Sequence, residues 1–315
     1  MSTLCVGPLG EDDLAAVDRI MRLAFGTFLG MAEPESFMGD AGYVHTRWRA
    51  DPTAAFGAWL DGQLVGSNFA TSWGSFGFFG PLTVHPRHWN SGIGSRLVEA
   101  VMEVFDRWDL THAGLFTFAH SAKHVWLYQK FGFWPRFLTA VMAKPVDAAG
   151  GATVPFECYS TLLPTARSEC LAACRAVTGA TYPGLDLQWE IRAVDGQGLG
   201  DTVLLRDGAD VVGLAVCHTG PHTEAGSGVC YVKAGAVLPG PGAATRFSQL
   251  LEACESLAVT RGLNTVQAGV NLGRHEAYRM LLSRGYRTTL QGVAMERPNR
   301  SAFTHEGVYV IDDWR

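Results

Sequence analysis

The residues of this chain whose types and spacing could do chemistry cluster in its first half. One run, Val84-His85-Pro86-Arg87-His88-Trp89-Asn90-Ser91-Gly92-Ile93-Gly94-Ser95, joins a strand-like stretch to an amphipathic one. Small residues there let backbone N–H groups approach an anion closely, and the start of a helix adds a favourable field, so a pyrophosphate fits. Taken alone, a tight strand-to-helix turn explains the same glycines. Further on, Tyr128 lies in Leu127-Tyr128-Gln129-Lys130-Phe131-Gly132-Phe133. A phenol is a neutral hydrogen-bond donor at pH 7, suited to protonating a leaving group, and equally able to serve as a packing residue. Between these, His120 is the best titratable candidate for taking a proton, its reference pKa of about 6.5 matching that task. Ser121, at the start of a helical stretch, reads as an N-cap.

To bring these groups together the chain needs adjacent strands that each feed a helix, and the sequence writes that scaffold twice. Strand-like runs 54–60 and 63–69 flank Asp61-Gly62, a tight-turn signal, and runs 202–206 and 211–217 follow the same plan around Asp207-Gly208. A fourth strand, 76–84, then leads through Pro86 and the glycine loop into a helix with Leu97, Val98, Val101, Phe105 and Trp108 on one face. Its counterpart is 229–237, Pro239, Gly242-Ala243-Ala244 and the face Phe247, Leu250, Leu251, Cys254, Leu257. A strand, a helix and an aromatic turn come third, 113–119, 121–131 and Gly132-Phe133, against 265–270, 274–284 and Gly285-Tyr286. Each half is expected to close with its own strand ending at a proline, 137–145 and 288–298. The reading divides the chain into an N-terminal domain (1–146), a Gly/Ala-rich linker (147–153), a C-terminal domain (154–298) and a tail (299–315) whose residues 307–311 look like a short strand.

With this order of anchors, the chain resembles a tandem member of the GCN5-related N-acetyltransferase (GNAT) superfamily over nearly all of residues 1–298. The resemblance implies an α/β fold of the α+β kind: two tandem GNAT-like domains, each a twisted, mixed, mostly antiparallel sheet flanked by helices. The family's pyrophosphate pattern, Gln/Arg-x-x-Gly-x-Gly/Ala, maps to Trp89, Asn90, Ser91, Gly92, Ile93 and Gly94, with Ser95 following. Trp89 departs from the usual Gln or Arg, which costs a polar side-chain contact but leaves the amide cradle, and Arg87 or His88 could compensate. By resemblance, acetyl-CoA or another acyl-CoA is the co-substrate and enters between the fourth and fifth strands. An amide near Leu82, Thr83 or Val84 stabilises the oxyanion. Tyr128 protonates the departing thiolate, and Ser121 contacts the pantetheine arm, compatibly with capping its helix. His120 or a water chain deprotonates the acceptor. Glu33, Glu35 and Asp40 fall where relatives shape the acceptor pocket; they suit holding a cationic amine and suit equally a solvated loop.

The second copy lacks parts of this set. Pro239 and Gly242 are separated by two residues where Pro86 and Gly92 are separated by five, Pro241 removes an N–H, and Leu281 stands where Tyr128 would. The N-terminal copy is therefore expected to be catalytic and the C-terminal one degenerate. Apolar residues make up 47% and charged residues 17%, without an uninterrupted membrane-spanning run. Residues 1–150 hold 11 basic and 14 acidic groups, so neither half offers the basic cluster that nucleic acid requires. Seven cysteines without a Cys-x-x-Cys pair read as reduced thiols, and no metal is expected. The whole reads as a cytoplasmic acyl-CoA-dependent N-acyltransferase acting on the primary amine of a small molecule, as a monomer or homodimer, with no nucleic-acid or membrane partner. Two alternatives stay open: a non-catalytic acyl-CoA-binding sensor or scaffold, and acetylation of a protein lysine.

Overall fold

A computed structural model describes residues 3–147 and 155–315; all of the expected linker except Asp147 lies outside the described residues. The first copy runs β1 (Leu4–Pro8), α1 (Leu14–Phe28), α2 (Val44–Ala50), β2 (Ala55–Leu60), β3 (Gln63–Trp73), β4 (Phe76–Phe79), β5 (Thr83–Val84), α3 (Ile93–Arg107), β6 (His112–Thr117), α4 (Ala122–Gln129) and β7 (Trp134–Pro145). The second runs β8 (Glu157–Cys158), α5 (Pro164–Thr181), α6 (Gln188–Gln197), β9 (Gly200–Asp207), β10 (Asp210–Gly220), β11 (Gly226–Val237), α7 (Ala243–Thr260), β12 (Thr265–Asn271), α8 (His275–Ser283) and β13 (Arg287–Arg297), and the tail adds β14 (Val310–Asp312). The fold is the expected pair of GNAT-like α/β units, each a mixed and mostly antiparallel sheet flanked by helices.

Local sequence accounts for the hairpins. Asp61 and Gly62 take φ of 50° and 81°, the left-handed conformation that a two-residue turn needs, and Leu60 pairs with Gln63. In the second copy Asp207 pairs with Asp210, so the turn residues are Gly208 and Ala209, one position later than Asp207-Gly208. Helix α3 buries Ile93, Leu97, Val98, Val101, Val104 and Phe105, a stripe at helical spacing that packs on the sheet; Trp108 lies just past its last turn.

The strand order departs from the halves of the sequence. The sheet runs β1-β2-β3-β4-β6-β13-β7-β12-β11-β10-β9-β8. Both expected closing strands form, but β13 of the second copy lies against β6 of the first, and β7 of the first lies against β12 of the second. The copies thus exchange their last strands, which pair with each other at the centre. Burial sets this exchange. His112 Nε2 and Glu296 Oε2 meet at 2.9 Å across β6 and β13 with both side chains fully buried, and Val293 and Met295 join the α3-side core of the first copy.

Candidate active site

The expected fourth strand breaks in two. Ala70 pairs with Phe79 and Ser67 with Thr83, so two residues of β3, Asn68 and Phe69, face three on the other side, a one-residue bulge at 80–82. Before the bulge β4 runs parallel to β6 as far as Phe78 opposite Gly114; after it, β5 pairs only with β3. The strands splay, leaving a wedge between 79–84 and 115–117. Gly80 N–H donates to Phe69 O and His85 N–H to Val65 O, both toward β3. Successive strand amides face opposite edges, so the Val84 N–H points into the wedge.

Tyr128 closes the vertex. Carried by α4, its ring meets Phe79 edge-on at 5.6 Å, and the Thr117 side chain of β6 is near enough to act on its hydroxyl, so it faces both splayed strands. Tyr128 is 7% exposed, and burial pushes its phenol well above the usual value of 10.0 despite the opposing Thr117 contact. It is held as a neutral donor.

At the open end of the wedge, Gly92 takes φ 85° as the N-cap of α3 with no side-chain cap, and Asn90 takes φ 65°. The N–H groups of Gly92, Ile93 and Gly94 have no intrahelical partner and form an amide cradle suited to a pyrophosphate, whereas the Ser95 N–H, expected to belong to it, donates to Gly92 O at 3.1 Å. Ser91 Oγ is committed to His88 O. Trp89 donates from Nε1 to Val84 O at 2.7 Å, and Lys123 of α4 lies 5.5 Å over its ring. Lys123, which sequence reasoning passed over, supplies the cation beside the loop that Arg87 or His88 was expected to provide. Its position in the first turn after Ser121 was the available signal.

The other expected residues are distributed differently. Ser121 is buried at the N-cap of α4, with no side-chain cap bond. His120 is exposed and stacks on Phe28 at 5.8 Å, within a ring cluster joining Phe25, Phe37, Phe118 and His124 at the wedge mouth. Glu33 and Glu35 are exposed. Asp40 is engaged by the second copy, accepting hydrogen bonds from Ser227 N and Oγ, which lower its pKa. A cavity of about 560 Å³ between the copies, with Thr46, Trp108, Trp189 and Lys233 in its wall, contains none of the sequence-predicted residues.

Residues 17–133 match the sequence model of the acetyltransferase (GNAT) family. The match lies within the N-terminal half, from α1 to the residue before β7. Among solved structures, a Pyrococcus horikoshii protein assigned as an acetyltransferase is similar at 12% identity and TM-score 0.69, over 99% of this chain and 95% of that one. A GCN5-related N-acetyltransferase from Sphaerobacter thermophilus is similar at 17% identity and TM-score 0.60, over 95% and 96%. One from Anabaena variabilis is similar at 14% and 0.54, over 94% and 72%. At such identities the likeness shows a shared fold across both copies. No curated protein matches. The GNAT family transfers acyl groups from acyl-CoA.

The second GNAT-like copy has the same splay with a different occupant. Strand β11 pairs with β12 only from Val229 to Val232; beyond this, Ala234, Gly235 and Ala236 pair with Asp312, Ile311 and Val310 of β14. The tail therefore fills the second wedge. Arg274, fully buried where Ser121 stands in the first copy, holds Asp312 through two 3.0 Å bonds. Arg246 folds over the shortened loop and donates to Leu238 and Pro241 carbonyls. Leu281, the counterpart of Tyr128, is buried in the core. Among the described residues no helix is long and apolar enough to cross a membrane, and no group of His, Cys, Asp and Glu could hold a metal ion.

Proposed function

We propose that the GNAT domain binds acyl-CoA in the wedge between β4–β5 and β6 and transfers its acetyl, or a closely related acyl, group to the primary amine of a small molecule. The observation that carries this reading is the contrast between the wedges: the first is open with Tyr128 at its vertex, the second is occupied by β14. The amine nitrogen attacks the thioester carbonyl, and the Val84 N–H donates to the oxygen as it gains charge. As the C–S bond breaks, Tyr128 passes its proton to the sulfur. His120, exposed at the mouth, or water relayed past it takes the ammonium proton. The neighbouring aromatic rings support an acceptor with an apolar part, and their faces attract an ammonium.

Acetyl-CoA binding by calorimetry tests the assignment. Gly92→Pro cannot adopt φ 85° and should abolish binding, whereas Gly242→Pro, at φ 80° in the second copy, should not. Lys123→Glu reverses an exposed charge without touching the core and should weaken binding about tenfold. The expected stoichiometry is one per chain; none, or two, overturns the reading. Thiol release across an amine panel then identifies the acceptor.

A further inference from the structure

The second copy lacks an open wedge, yet it sends one long arm into the first. Between β3 and β4 the chain turns in two residues, Gly74 and Ser75, whereas residues 221–225 separate β10 from β11. That longer loop docks on the segment before α2: Gly42 N–H donates to Thr223 O at 2.8 Å, His222 N–H to Asp40 O at 2.9 Å, and Ser227 N–H to Asp40 Oδ1 at 2.9 Å. Docked there, the loop places Glu224 against Arg47 of α2. Arg47 Nε and Nη2 donate to the two Glu224 oxygens at 2.9 and 3.1 Å, and the side chains are 2% and 0% exposed. The remaining Arg47 nitrogen, Nη1, donates to Gly80 O at 2.5 Å, the first residue of the bulge that splays the wedge. Lys233 of β11 also donates to Glu224 at 2.9 Å, and Arg47 Nη2 also reaches Arg315 O.

A guanidinium this deeply buried is tolerable only with its counter-charge in place, and a planar fork can hold two partners in fixed directions. Without Glu224, Arg47 loses its buried counter-charge and two of its hydrogen bonds, leaving carbonyl contacts to Gly80 and Arg315 that cannot neutralise it. We infer that Arg47 and Glu224 are positioning residues for the acyl-transfer site: the loop of the second copy fixes the Gly80 carbonyl, and through it the bulge that turns the Val84 N–H into the wedge. The degenerate copy thereby contributes to the chemistry of the first without binding cofactor. This rests on the acyl-transfer reading above, whereas the strand geometry it invokes exists without any ligand.

Two kinds of measurement separate these. In the unliganded protein, Glu224→Gln and Arg47→Lys should speed amide exchange at Gly80 and His85, whose N–H groups bond to Phe69 O and Val65 O on either side of the bulge, about tenfold, with β9–β10 amides unchanged. With acetyl-CoA and the amine selected by the panel, kcat should fall about a hundredfold while acetyl-CoA affinity, set mainly by the loop at Gly92, stays within about threefold. Glu224→Asp should recover part of the rate. If the single replacements do not fold, the apolar pair Arg47→Met with Glu224→Leu removes both charges together and should fold while still losing protection at Gly80 and His85. Wild-type exchange at Gly80 and His85 in folded variants, or wild-type kcat in the apolar pair, overturns the inference. Failure of the wild type to bind acetyl-CoA would sink the acyl-transfer reading and leave the exchange result to judge the bulge.

Discussion

Replacing Tyr128 with Phe removes one oxygen at the vertex of the wedge and tests the assignment most directly. The ring is 7% exposed and packed on Phe79, so its shape is retained. In the folded state Thr117 is the polar side chain that acts on the hydroxyl, and at most one neutral hydrogen bond is at stake. Losing a neutral hydrogen bond costs about 1 kcal/mol, partly offset because a buried polar oxygen is also removed, so the denaturation midpoint should barely move. The kinetic effect is larger. General-acid assistance contributes about 10²–10⁴-fold, and a preorganised donor to developing charge about 3–4 kcal/mol, which places the expected fall in kcat at about 10²–10³-fold. Acetyl-CoA affinity should be almost unchanged, because the ground-state thioester sulfur accepts hydrogen bonds poorly. Stopped-flow or steady-state thiol release with the panel-selected amine measures kcat, and calorimetry measures affinity. The pH profile adds an independent constraint. Burial raises the Tyr128 pKa above its ordinary 10.0, so the phenol stays protonated through neutral and moderately alkaline pH and contributes no alkaline limb there. A variant keeping more than about a third of wild-type kcat, against the ranges above, would refute the general-acid role.

Two other predictions concern the assembly of the copies. His218 is fully buried and its pKa is lowered from 6.5 to about 4, chiefly by desolvation. The unfolded chain therefore takes up a proton as pH falls from 6.5 while the folded chain resists, and about 3 kcal/mol of stability should be lost between pH 6.5 and 4. Urea titrations across that range should show the loss in wild type and a shallower slope in His218→Gln; equal slopes exclude His218 as the source. Expressed separately, residues 3–147 lack β13 beside β6, and residues 155–315 lack β7 beside β12. Each half is expected to be insoluble or unfolded by circular dichroism and to recover on co-expression, because an open central strand edge is exposed; two independently folded halves would contradict the exchange.

Much of the scaffold was legible because its signals are short-range. Asp61-Gly62 makes its turn through two positive φ angles, and the α3 stripe follows from helical spacing alone. Gly92 is required by a left-handed φ within the loop itself. The displaced turn at Gly208-Ala209 shows the limit of that reading, since two adjacent positions carried turn residues and cross-strand pairing chose between them. Histidine and carboxylate roles were less legible. His112 reads as an ordinary surface or packing residue until Glu296, 184 positions away, is placed against it.

The sequence by itself determined most of the segments that become strands and helices, though not the break in the fourth strand, and also where the uncapped glycine loop falls and which copy keeps a phenol before its Gly-Phe turn. Those features depend on backbone preference and periodicity within one or two turns of chain. Tertiary structure alone decided that β7 and β13 change places, that β14 fills the second wedge, and that Glu224 reaches Arg47 beneath Gly80. A strand's alternating pattern states that it has a buried face but does not name the edge it joins. A buried arginine likewise gives no hint in sequence of which distant carboxylate neutralises it. Such choices come from burying the whole apolar surface at once while leaving no charge unpaired.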